Sequence, residues 1–312
     1  MTTTSTREWP ATLSSSGETL DLSPQTFGEL LDSSDALFDA PTLRDRMERD
    51  GYLFLRGLHA REEVLQARRA MVDKLAARGD LLPGTDPMEC VAVPGRSVEF
   101  IPDVAMQTPE LLRVLYGEAM MGFWDRFFGE EARHFDYTWF RAVTPGRATP
   151  PHTDAVYMNR GTQNLYTCWT PIGDVPIEHG PLMVLEGSHR HQKLREGYSS
   201  KDVDAICTNT HAPRTGRQNH LRLGGGWLSG RPAKLRDALG GRWLSADFAA
   251  GDVLVFSIFT VHCSLDNTSD RVRLTSDSRY QAASEAVDER WISVDGQAPT
   301  AHGEGSKREM IC

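Results

Sequence analysis

Pro151-His152-Thr153-Asp154 sets an imidazole and a carboxylate two residues apart. Side chains two apart on a β-strand point to one face, so a strand here would offer His152 and Asp154 to a single metal ion. A lone His-x-Asp pair is common in a chain of this size and carries little by itself. The stretch from Gly251-Asp252 to Arg273 supplies what it lacks, a distant His262 and a basic residue eleven positions beyond it. Two histidines and one carboxylate that leave positions open are the ligand set of non-heme iron(II) oxygenases. Neutral imidazoles with one carboxylate give iron(II) a single compensating charge, so a further anionic ligand and O₂ can bind together. A site with four protein ligands would admit neither. His179, His189, His191, His211 and His220 show how readily imidazoles fall elsewhere, and any one of the three residues alone could be structural. The assembled trio with Arg273 points to a metal centre.

The elements that must hold these residues read as one domain over 1–312. A Ser/Thr-rich, flexible lead-in covers 1–24, a mostly helical flank covers 25–132, and a strand-rich core covers 133–290. A loosely structured tail closes the chain at 291–312. In the flank, Thr42 to Met47 reads as a short helix with Thr42 as its N-cap, stopped at Asp50-Gly51 before the apolar run Tyr52 to Leu55. Helical spacing predicts further helices over His59 to Ala77 and Thr108 to Phe128, the second opened by Thr108-Pro109-Glu110. The Met120-to-Trp124 cluster in it reads as core. Strands are predicted at Phe135 to Val143, Leu165 to Ile172, Leu182 to Leu185, Trp243 to Phe248, Val253 to Ile258 and Val272 to Gln281. Short strands joined by Gly/Pro turns after a helical half predict a mainly β fold, a barrel or double-sheet jelly roll flanked by helices. The insertion over 188–241 carries a helix near Lys234 to Leu239 and suits a cover for the active site. Gly224-Gly225-Gly226 lacks the strand-to-helix context of a phosphate loop.

Composition is that of an ordinary globular protein, 39% hydrophobic and 25% charged. The net charge of -9 argues against nucleic acid as a partner, although residues 189–236 carry ten Lys/Arg against three Asp/Glu. That segment suits either an anionic group on a small-molecule substrate or a solvated loop. No apolar run approaches the roughly 20 residues of a membrane span, and the N-terminus is no secretory signal. Five scattered cysteines without paired spacing suit the cytoplasm. Cys263, beside His262, reads as a small buried side chain rather than a ligand.

His152-Thr153-Asp154, then His262-Cys263-Ser264, then Asn267 through Ser269-Asp270-Arg271-Val272-Arg273, resemble the phytanoyl-CoA dioxygenase family of iron(II)/2-oxoglutarate oxygenases. The resemblance covers roughly residues 43 to 290. Asp50 to Gly57 is similar to the family's N-terminal strand, and Trp169 to Asp174 and Gly180 to His189 to its mid-barrel strands. It implies a double-stranded β-helix with iron(II), 2-oxoglutarate and O₂ as cofactor and cosubstrates.

By the same resemblance, Arg273 matches the arginine that grips the distal carboxylate of 2-oxoglutarate, with Arg271 on the same face by strand parity as the alternative. Ser264 matches a hydroxyl on that carboxylate and Trp169 an aromatic wall of its pocket, or a core tryptophan. Arg141 faces cosubstrate or substrate, or lies on the surface. Tyr157 and Asn164 are placed as substrate contacts, and Arg279 as an inward cation that pairs with an anion or with a barrel carboxylate. Asp154 occupies the position that related halogenating enzymes keep small, which favours hydroxylation. Desaturation, epimerisation and ring closure use the same triad. A non-catalytic sensor barrel, or a cupin-like enzyme that activates O₂ without a cosubstrate, would not need Arg273.

Overall fold

Val253 to Phe256 and Tyr52 to Leu55 are apolar at every position, as strands covered on both faces must be. In the computed structural model of the chain, which describes residues 8–98, 101–206 and 226–301, they pair side by side in a large sheet. The strands are β1 (Ser14–Ser15), β2 (Glu18–Thr19), β3 (Phe27–Glu29), β4 (Tyr52–Leu55), β5 (Ala132–His134) and β6 (Trp139–Val143). The remainder are β7 (Tyr166–Pro171), β8 (Leu182–Leu185), β9 (Trp243–Ser245), β10 (Val253–Ser257), β11 (His262–Ser264) and β12 (Arg273–Ala282). One sheet runs β4-β10-β7-β12, with β5 and β6 both on the far side of β12. The other runs β11-β8-β9-β3. Trp169, Leu254 and Phe256 from the first meet Leu182, Val184 and Leu244 from the second in a shared core. This is the double-stranded β-helix.

The opposite face of the large sheet carries the helices α1 (Ala40–Asp50), α2 (Arg61–Ala77), α3 (Pro102–Met106), α4 (Pro109–Tyr116) and α5 (Glu118–Phe128). Strand parity divides the two environments. On β10, Val253 and Val255 pack on the helical side, while Leu254 and Phe256 face the inter-sheet core. On β12, Leu274 and Tyr280 meet the helices, so the odd positions from Arg273 to Arg279 turn into the barrel. The insertion holds α6 (Gln192–Glu196), α7 (Val203–Ile206) and α8 (Pro232–Leu239). Residues 207–225, including Gly224 and Gly225, lie outside the described residues, and with them the middle of the expected cover.

Several expectations need correction. The N-cap of α1 is Asp39, whose carboxylate accepts the Thr42 N–H at 3.3 Å and the Thr42 hydroxyl at 2.7 Å. Thr42 thus lies inside the first turn, with Pro41 near its start, where no N–H is needed. The single helix over Thr108 to Phe128 breaks at Gly117, whose N–H closes α4 on the Arg113 carbonyl. A Cβ at Gly117 would lie 2.2 Å from that oxygen, so only glycine fits the break. Of the strand expected over Phe135 to Val143 only Trp139–Val143 forms, because the chain leaves β12 at the end of β5 (Ala132–His134) and returns at Trp139.

The lead-in is not loose from Glu8 onward. Leu13 and Leu20 are buried in the cluster that holds Ile177 and Met183, and Ser15 Oγ donates to the Ser264 carbonyl at 2.7 Å. Two apolar anchors suffice to seat a short hairpin that Ser/Thr-rich composition disguises. The tail also folds back as far as Ala301, whose N–H donates to the Arg290 carbonyl at 2.8 Å, and Trp291 is fully buried.

Gly51 ends α1 in the left-handed region at φ 78°, and a Cβ there would meet His189 Nδ1 at 2.2 Å. His189 is itself buried, with Nε2 2.9 Å from the Glu48 carbonyl. Gly51→Ala combines left-handed strain with a forced shift of a buried ring and is expected to cost about 2–4 kcal/mol. A urea midpoint lowered at unchanged slope is the measurement, and an unchanged midpoint would contradict the close approach.

Candidate active site

His152 and His262 pair through one antiparallel bridge, with N–H to carbonyl distances of 3.1 and 3.0 Å in the two directions. The bridge sets their rings on one side, with centroids 4.2 Å apart. The expected strand through Asp154 is absent. Thr153 alone is extended (φ -118°, ψ 146°), and Asp154 opens a 3-10 turn over Asp154–Val156. One extended residue between them is enough to keep His152 and Asp154 on a common side, so the juxtaposition survives without the strand.

Each imidazole is oriented from behind. His152 Nδ1 lies 2.8 Å from the Pro150 carbonyl and His262 Nδ1 3.0 Å from the Thr260 carbonyl. A carbonyl only accepts, so Nδ1 carries the proton in both and each Nε2 presents its lone pair. Both Nε2 atoms lie 3.7 Å from Asp154 Oδ1, and the three donor atoms fall within 4.8 Å of one another. Burial, then the neighbouring His262, pushes His152 down to about 3, and burial lowers His262 as well. Both rings are therefore neutral, as metal coordination requires, and these spacings are not ion pairs.

Burial would raise the Asp154 carboxyl. Arg279, followed by the two histidines and Thr167, outweighs burial and holds it below the usual carboxylate range. Oδ2 accepts from Thr167 Oγ1 at 2.5 Å and from Arg279 Nη2 at 3.0 Å. An anionic oxygen and two neutral nitrogens converging in a buried pocket fit a divalent ion such as iron(II).

Arg273 lines the same cavity as the three donors. It is 2% exposed, and among the described residues its Nε and Nη1 have no hydrogen-bond partner. Burial pushes its guanidinium down to about 9, with Asp277 opposing the fall and Arg141 adding to it. A buried cation with unused N–H groups is a site for an anion. Arg271 points elsewhere, its side chain 32% exposed and paired with Glu89 at 3.1 Å and Asp270 at 3.0 Å. Its parity with Arg273 does not apply, because β12 begins only at Arg273.

Trp169 walls the cavity, edge-on to Phe248 at 4.8 Å. Arg141 also lines it, with Nε donating to Asp277 at 2.8 Å. Ser264 is buried, and its Oγ accepts the Thr149 N–H at 2.9 Å. Thr149 reaches the cavity wall, whereas Ser264 stands behind it. Tyr157 sits edge-on to His152 at 5.9 Å. Arg279 turns inward onto Asp154, the barrel-carboxylate alternative of the two foreseen. Asn164 is exposed in the turn before β7, donates to Glu285 at 2.9 Å and lies outside the cavity. Thr167 and Asp277 were not singled out by the sequence. Alternate positions on β7 (Thr167, Trp169) and β12 (Arg273, Asp277, Arg279) would have found both. The described ends of the insertion flank the ligand loop, with Ser199 Oγ 3.1 Å from Thr153 Oγ1 and the Leu228 N–H on the Pro151 carbonyl at 2.8 Å.

Residues 47–275 match the family model described as phytanoyl-CoA dioxygenase. The chain is 26% identical over 270 residues to the 1-deoxypentalenic acid 11-beta-hydroxylase of Streptomyces arenae, covering 83% of this chain and 87% of that protein. The enzyme of the same name from Streptomyces exfoliatus is also 26% identical, over 272 residues, with the same coverage. Among solved structures, EctD from S. alaskensis has a TM-score of 0.56 at 18% identity, covering 93% of this chain and 92% of that one. The epimerase SnoN, solved with Fe3+, alpha ketoglutarate and nogalamycin RO, has a TM-score of 0.54 at 20% identity, covering 86% and 94%. These two structures establish the shared fold.

Proposed function

Because the chain belongs to the phytanoyl-CoA dioxygenase family, we propose that His152, Asp154 and His262 hold iron(II) and that Arg273 holds the distal carboxylate of 2-oxoglutarate. The protein is an iron- and 2-oxoglutarate-dependent dioxygenase. Its reaction, in our reading, is hydroxylation of an unactivated C–H bond in a small organic molecule. The observation that carries this is the meeting, in one buried cavity, of three convergent metal-donor atoms and a guanidinium whose Nε and Nη1 have no hydrogen-bond partner among the described residues. The relatives that hydroxylate a small organic acid support the substrate class.

Iron(II) with 2-oxoglutarate and O₂ supplies the oxidising power, and 2-oxoglutarate leaves as succinate and CO₂. The chain's own residues position and shield. The Pro150 and Thr260 carbonyls fix both imidazole tautomers, so Nε2 is the coordinating atom in each. Arg273 offers charge-assisted hydrogen bonds at one end of the cavity and so orients the cosubstrate. Trp169 and Leu182 give the cavity apolar wall, which keeps water from it. Arg141 is held by Asp277 beside Arg273, where it adds positive potential for an incoming anion. Among the described residues no helix is long and apolar enough to cross a membrane. Buried, unpaired Cys90, Cys168 and Cys263 support a reducing compartment such as the cytoplasm.

Anaerobic addition of iron(II) and then 2-oxoglutarate should raise the weak visible metal-to-ligand charge-transfer band, followed by succinate formation on admitting O₂. Verified iron binding without that band would remove 2-oxoglutarate from the reaction and favour a cosubstrate-free oxygenase or a sensor.

A further inference from the structure

We propose that Arg279 is a positioning residue that decides which oxygen of Asp154 meets the metal, and holds that carboxylate to a single coordination position. The inference rests on the metal reading of His152, Asp154 and His262. A carboxylate presents two like oxygens on a torsion that is broad in energy, so an aspartate ligand can turn or chelate unless something restrains it. Here the two oxygens are divided. Oδ1 lies 3.7 Å from both Nε2 atoms, whereas Oδ2 is taken by Arg279 Nη2 at 3.0 Å and Thr167 Oγ1 at 2.5 Å.

Arg279 is in turn fixed. It is 3% exposed, and its guanidinium lies over the Trp139 ring at 4.1 Å. Trp139 is packed against Tyr137 at 4.7 Å and Trp291 at 4.8 Å. Among the described residues Asp154 is the carboxylate that pairs with it, and its Nε and Nη1 have no partner. Rotating Oδ2 toward the metal would break a buried, charge-assisted hydrogen bond and leave this cation uncompensated.

The consequence is one of coordination count. Two imidazoles and one carboxylate oxygen fill half of an octahedron, and a chelating cosubstrate takes two of the three positions left. A chelating Asp154 would leave none beyond the cosubstrate. Arg279 therefore guards the last open position through its hold on Asp154.

The test compares wild type with Arg279→Met and Thr167→Val, using competition for iron(II) and the 2-oxoglutarate charge-transfer titration. Cobalt(II) ligand-field spectra serve as a second signature. Arg279→Met is expected to weaken iron(II) and 2-oxoglutarate binding each by about 10–100-fold, the size typical of groups that orient a metal ligand. It should also shift the charge-transfer maximum and lower the cobalt(II) band intensity as coordination rises. Thr167→Val should do less. The double variant should fall short of the product of the two effects, because both groups hold one oxygen. Loss of packing alone would lower the melting temperature and leave the spectra in place, so unshifted bands and dissociation constants within twofold of wild type overturn the proposal. Should Arg279→Met not fold, Arg279→Lys decides on the same spectral criteria. Wild type that fails to bind iron(II) would instead remove the metal reading itself, a result distinct from an unaffected Arg279 variant.

Discussion

His262→Ala is expected to lose iron(II) affinity by about 10²–10³-fold, and turnover with it. Four-ligand metal sites bind with about 10–16 kcal/mol, roughly 2.5–4 per ligand, and each 1.4 kcal/mol is tenfold. A three-ligand site has less redundancy, so the loss should sit at the upper end. The substitution leaves the backbone bridge to His152 in place, because that bridge uses N–H and carbonyl groups alone. The fold should persist, with a void beside Phe256, whose ring lies 4.4 Å from that of His262. His189→Ala is the control, since His189 is buried and bonded to the Glu48 carbonyl, away from the cavity. It should lower stability while leaving iron affinity alone. Competition with a chromogenic iron chelator under argon reads both. A His262→Ala variant that kept wild-type affinity would show that the convergent donors are not the metal site.

Arg273→Met should separate cosubstrate from metal. Removing one partner of a buried charge pair costs about 2–5 kcal/mol, so 2-oxoglutarate affinity should fall by roughly 10²–10³-fold. Iron(II) affinity should change little, because Arg273 is not a ligand. The apo protein should gain stability, since Arg273 without an anion is a buried cation with two unsatisfied nitrogens. Wild type should melt higher on adding cosubstrate, by the equivalent of about 2.7 kcal/mol at a hundredfold excess over Kd, and Arg273→Met should not. Arg271→Ala, outside the cavity on its pairs with Glu89 and Asp270, should leave 2-oxoglutarate affinity within about twofold, as surface ion pairs contribute little. If Arg271→Ala were the variant that lost cosubstrate, the assignment would reverse.

The core strands were legible because burial on two faces leaves a mark that residue type alone carries. Tyr52 to Leu55 and Leu182 to Leu185 appear at the bounds expected of them. The helix start at Asp39 and the break at Gly117 were missed for the opposite reason. Several residues near Thr42 can cap, and helical periodicity runs unbroken through a glycine whose role depends on the Arg113 carbonyl beneath it. The anchoring of Leu13 and Leu20 was hidden in a polar segment, because the surface that buries them comes from β8 and its neighbours far along the chain.

The sequence by itself determined the chemistry on offer. Two imidazoles, one carboxylate and a following arginine are residue types, and residue types fix what can coordinate, carry charge or donate. Parity along β12 was also implicit in it, because alternation is a local property of an extended chain. Only the tertiary structure decided which arginine faces the cavity, since spacing cannot say where a strand begins. It left Asn164 outside the cavity, and it turned one oxygen of Asp154 toward the two Nε2 atoms and the other toward Arg279 and Thr167. That last arrangement joins Asp154 to Arg279 across 125 residues of chain. No local pattern encodes a contact at that separation. It exists because two strands of one sheet and a turn at its mouth are brought together by the burial of everything around them.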